Sequence, residues 1–161
     1  MRANTEILRL GAPPLAQDDK TGLRPSLRMT ARGQIAPMPR LFLTLAALSG
    51  LISVAAGAFG AHALKDRLEP RLLEVFETAA RYQMYHALAL CVVAWLATTV
   101  PGRLTTVSGW AFLAGTLLFS GSLYAMAFTG IRALGAITPL GGVAFLIGWG
   151  ALLLAARTLP H

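Results

Sequence analysis

Residues 41–64 read LFLTLAALSGLISVAAGAFGAHAL, 24 positions without one charged side chain. A helix rises about 1.5 Å per residue and the hydrocarbon core of a bilayer is about 30 Å thick, so roughly 20 such residues cross it. A buried helix of a water-soluble protein is rarely this long and this free of charge. Three more stretches repeat the pattern: Tyr82–Val100 (19 residues), Val107–Ile131 (25) and Ala133–Ala156 (24). They are rich in Ala and Leu, lack two-residue alternation and exceed the length of strands, so barrel staves are a poor description. In lipid the backbone must satisfy its own hydrogen bonds, which leaves helices. The expected fold is all-α: a polytopic membrane protein built as a four-transmembrane-helix bundle.

Composition agrees. Of 161 residues, 55% are hydrophobic and 13% charged, about half the charge usual in a soluble domain, and the mean hydropathy is +0.60. These figures exclude a disordered protein, a disulfide scaffold and a water-filled α/β enzyme. The single cysteine, Cys91, has no partner for an internal disulfide and belongs to no thiolate metal motif. A small apolar packing role fits it.

The net charge of +7 is unevenly spread. Ten of the 21 charged residues lie in residues 1–40 and eight between Lys65 and Arg81, leaving only Arg103, Arg132 and Arg157. The tail therefore carries +4 and the connector zero. Residues 1–37, with Pro13-Pro14 and scattered arginines, form a disordered basic tail by composition and carry no secretory signal. Met38 stands directly before Pro39-Arg40 and the first span, and reads as a natural start. Residues 38–161 then form a single membrane domain. The arginines have no interleaved aromatics on a polar face, so nucleic acid is not an expected partner. Membrane lipids are.

In the connector, Leu68, Leu72, Val75, Phe76 and Ala79 recur at helical spacing among charged residues, and Pro70 suits a first helical turn. This predicts a short amphipathic helix on the membrane surface between spans one and two. With the N-terminus inside, six Lys and Arg near the span ends are cytoplasmic and five are outside. That margin of one favours an N-in, C-in orientation for the full chain, and it reverses to three against five for a chain that starts at Met38.

Helices in lipid gain little from burying large apolar groups against one another, so small residues mark their contacts. Ser49, Ser53, Gly57 and Ala61 recur at four-residue steps, and Gly141, Gly148 and Ala155 at seven-residue steps. With Gly60, Gly121 and Gly142 they are the candidate helix-packing positions. Polar residues gather by depth in the half of the membrane beside the connector: His62, Gln83, His86, Ser122, Tyr124 and Thr138. They form a candidate polar cluster or ligand site, since ionisable groups within the membrane are costly and mark function by default. The bland alternative is that they hydrogen-bond neighbouring helices. No third ligand with metal-site spacing accompanies the two histidines, so no metal is expected. The segment Thr138-Pro139-Leu140-Gly141-Gly142 is either an ordinary proline-started helix or an interrupted one of the kind transporters use.

The chain shows no nucleophile–base pair, paired carboxylate, phosphate loop or dinucleotide fingerprint, and no acidic residue within the spans. No cofactor and no enzymatic activity are expected.

Gly57-Ala58-Phe59-Gly60-Ala61-His62-Ala63-Leu64, Tyr82-Gln83 through His86-Ala87-Leu88, Phe119-Ser120-Gly121-Ser122-Leu123-Tyr124, Ile137-Thr138-Pro139-Leu140-Gly141-Gly142 and Gly148-Trp149 follow one another in order. In these motifs the chain resembles the YgdD-like family of small membrane proteins, which carries the label domain of unknown function 423. It is also similar to eukaryotic transmembrane protein 256. The resemblance covers about Arg40 to Ala156 and implies a bacterial inner-membrane protein of about four helices, with no established activity. Together the residues favour a non-enzymatic bundle that binds a lipid, a small ligand or a partner, with a homo-oligomer or another membrane protein as candidate partners. The alternative is an oligomeric transporter or channel for small solutes or ions that uses the polar half. A histidine-dependent membrane enzyme fits least.

Overall fold

The computed structural model describes residues 37–159, which comprise four long helices. The tail expected over residues 1–37 falls almost wholly outside the described residues, as does the question of a start at Met38. Helix α1 spans Pro37–Phe59 and runs on through a π-helical segment, Gly60–Leu64. Helix α2 spans Pro70–Thr99, α3 spans Arg103–Thr129 and α4 spans Thr138–Ala156, with a short 3-10 turn at Arg132–Ala136 before it.

Each boundary has a local cause. Pro70 occupies the first turn of α2, where its missing N–H is not needed. Pro101 and Gly102 separate α2 from α3. Helix α3 ends where Gly130 turns left-handed at φ 70° and donates its N–H to Met126 O at 2.9 Å. The last span was expected to begin at residue 133, but regular α-helix starts only at Thr138. Pro139 lies in the first turn of α4, where its missing N–H is not needed, and the residues before it run in the tighter 3-10 turn.

The connector differs from expectation as well. Pro70–Arg81 does not form a separate surface helix: it is the first part of α2, which continues unbroken for 30 residues. The charge boundary at Tyr82 is a change of environment along one rod, since Phe76, Ala79, Ala80, Gln83, His86 and Ala87 keep one buried face across it.

Helices pack in chain order, α1 on α2, α2 on α3 and α3 on α4. Phe42 of α1 reaches over to α3, where its ring covers Gly109 and meets Trp110 edge-on at 5.9 Å. The main core joins Phe42, Leu90, Val93, Phe112, Phe145 and Leu152.

Many large apolar side chains also face outward, and several uncharged polar ones lie inside. Leu117 is 75% exposed and Leu146 73%, whereas Ser53, Gln83, His86, Ser108, Ser120 and Ser122 are buried. An apolar exterior on that scale is prohibitive in water and suits lipid. Three helical segments among the described residues are long and apolar enough to cross a membrane: Met38–Leu64, Arg103–Thr129 and Arg132–Ala156. Helix α2 is longer than any of them, but its first turns carry Arg71, Glu74, Glu77 and Arg81.

Candidate functional site

Gln83 is the hub of the polar interior. It projects from the buried face of α2, 6% exposed, and bonds to helices on both sides. Its Nε2 donates to Ser49 O of α1 at 3.2 Å, and its Oε1 accepts the Tyr124 hydroxyl of α3 at 3.0 Å. One turn away, Ser53 Oγ donates to Ala80 O at 2.7 Å, a second polar tie between α1 and α2. An amide suits this position because it offers both donor and acceptor without a charge to desolvate.

The other candidate residues fall into separate places. Ser122 donates to Phe119 O at 3.0 Å, which leaves Thr138 Oγ1 as donor to Ser122 Oγ across 2.9 Å. That pair ties α3 to the first residue of α4. His86 is buried on the other flank of α2, where Nδ1 donates to Tyr82 O at 2.8 Å and the ring stacks on Phe145. His62 is exposed on the π-helical segment, away from these bonds. The residues expected as one cluster are thus two bonded pairs and two separate histidines: Gln83 sits level with Ser49, and His62 lies 13 residues further along that rod, about 20 Å away. Among the described residues no three His, Cys, Asp or Glu side chains could together hold a metal ion.

The small residues also divide. A Cβ on Gly141 would collide with the Phe119 backbone, one on Gly148 would lie 2.6 Å from the Phe112 ring, and one on Gly60 3.2 Å from Phe76. Gly57, Gly121 and Gly142 have open space instead. A four-residue step turns a helix about 400°, so each step drifts roughly 40° around the axis. Ser49 and Ser53 consequently bond to α2 while Gly57 is exposed. Two close approaches lie outside the expected stripes: Gly109 beneath Phe42, and Gly115 beneath Phe145. Each is a lone glycine within an apolar run, and its need for space comes from a ring far away in sequence. The Pro139–Gly142 segment forms a continuous first turn of α4 rather than a break.

Between α1 and α3 two apolar grooves run in line and share Ile52. One, about 350 Å³, has Ser49 and Gln83 on its lining between Leu48 and Trp110. The other, about 590 Å³, is bounded by Phe59, Phe76, Tyr124 and Phe128. This seam exists because α1 leans on α2, with α3 approached chiefly through Phe42 at one end.

The sequence profile of the family described as "Protein of unknown function (DUF423)" matches residues 56–142. The chain is 49% identical over 118 residues to the UPF0382 membrane protein YwdK of Bacillus subtilis strain 168, covering 73% of this chain and 96% of that protein. It is 45% identical over 116 residues to a UPF0382 membrane protein of Staphylococcus epidermidis strain ATCC 12228, covering 72% and 94%. A UPF0382 membrane protein of Staphylococcus aureus strain USA300 is 46% identical over the same share of each chain. No solved structure matches. The π-helical segment, α2, α3 and the start of α4 all lie within the matched profile, and the chain belongs to this DUF423 family of membrane proteins.

Proposed function

We propose that this is a non-enzymatic, four-span protein of the bacterial inner membrane that binds a lipid-soluble molecule in the seam between α1 and α3. Supporting four crossings, α2 lies along both α1 and α3, two helices that are themselves apolar enough to span. The charged first turns of α2 then emerge at the membrane surface, beside the end of α1.

The observation that carries the binding role is the seam itself, two grooves in line with almost wholly apolar linings. Four of the polar candidates are engaged in helix-to-helix bonds, Ser122 with Thr138 and Tyr124 with Gln83, while His86 bonds within α2 and His62 is exposed. The two bonded pairs serve as interhelical ties, and the apolar seam is the concave surface left for a ligand.

Mass spectrometry of protein extracted in mild detergent tests this. The wild type should retain a lipid-soluble molecule that Ala55→Phe, which fills the wider groove, displaces. Equal retention by both proteins, or none by the wild type, would contradict the binding role.

A further inference from the structure

We infer that the seam recognises a neutral, lipid-soluble carbonyl compound, with its carbonyl at the Gln83 amide and its apolar body along Ile52. This rests on the ligand-binding role proposed above and narrows it to a ligand class.

Gln83 lines the narrower groove and is only partly used. Its Nε2 carries two N–H groups; one goes to Ser49 O, and the other has no partner among the described residues. Its Oε1 already accepts from Tyr124. The group on offer is therefore a donor, in a medium where an unmade amide bond is costly. Ser49, on the same groove, has a buried Oγ that likewise lacks a partner among the described residues. An acceptor delivered to the groove satisfies the free Gln83 N–H, while the Ser49 hydroxyl lies beneath the groove surface.

Charge narrows the ligand further. No Asp, Glu, Lys or Arg lines either groove, so an ion would find no counter-charge. Gln83 follows Arg81 by two residues, about 3 Å along the helix, so the amide sits just beyond the charged turns of α2. The seam runs from Leu45 to Phe59, about 21 Å of helix, enough for a ring and an attached tail.

Decylubiquinone is a suitable probe, because it is neutral, carries ring carbonyls and quenches tryptophan fluorescence. Trp110 on the groove wall is left as the sole tryptophan by Trp95→Phe and Trp149→Phe, with the protein in phosphatidylcholine nanodiscs. Quenching should saturate, weaken roughly tenfold in Gln83→Met, which keeps the length but removes the amide, and lose saturation in Ile52→Phe. Saturable quenching that depends on Ile52 but not on Gln83 overturns carbonyl recognition and leaves the binding role standing. Linear quenching, equal in all variants, reports partitioning into the bilayer and overturns both. If Gln83→Met loses its helices, displacement decides: decylbenzene, which lacks a carbonyl, should compete at least roughly tenfold less well. Equal competition overturns the inference.

Discussion

Tyr124 on α3 gives its hydroxyl to Gln83 on α2 at 3.0 Å, while the same amide holds the Ser49 carbonyl on α1, so one side chain ties three helices. In a bilayer, association of apolar helices has little hydrophobic drive, and such bonds set register.

A double-mutant cycle with Tyr124→Phe and Gln83→Leu should therefore give a coupling of about 0.6 kcal/mol, up to about 1.7 kcal/mol. Denaturing-detergent titration of helix content in mixed micelles measures it. Strict additivity would mean that the bond adds no stability of its own.

The Ser122–Thr138 pair should behave differently, because Ser122 keeps its bond to Phe119 O when Thr138 is changed. Thr138→Val should cost about 0.6 kcal/mol in the same titration. A loss of several kcal/mol would show that Thr138 holds more than α4.

Glycine substitutions should separate sharply. Gly141→Ala forces a methyl into the Phe119 backbone and Gly109→Ala forces one into the Phe42 ring. Each should cost about 1–3 kcal/mol. Gly57→Ala and Gly121→Ala meet open space, and in a helix they should be neutral or stabilising by up to about 1 kcal/mol.

Gly130 has open space too but a positive φ. Gly130→Ala should destabilise by about 1–2 kcal/mol through backbone strain alone. A neutral result would mean that the turn after α3 relaxes to another geometry.

How much of this was legible in the sequence follows from the range of each signal. Length and the absence of charge are local, so the apolar stretches announce helices at α1, α3 and α4. Helix continuity is also local, yet the charged run 65–81 hides it: the connector and second stretch look different in composition while Phe76, Ala79, Gln83 and His86 share one face. Depth is not: residues 70–81 run alongside α1 as part of α2, so Gln83 pairs with Ser49, 13 residues before His62. Neither is azimuth: Gln83 and His86 lie less than one turn apart but face Tyr124 and Phe145 on different helices. Gly109 and Gly115 carry no sequence mark of their own, because Phe42 and Phe145 create their constraint from other helices.

The central claim is that α2 crosses the membrane with the other three helices. With Cys91→Ala as background, single cysteines at Asp66, Gly102, Arg132 and Thr158, all exposed between or beyond the helices, can be labelled with an impermeant thiol reagent in right-side-out and inverted vesicles. Four crossings predict that positions 66 and 132 label from one side, and 102 and 158 from the opposite side. Labelling of 66 and 102 from the same side would contradict the account.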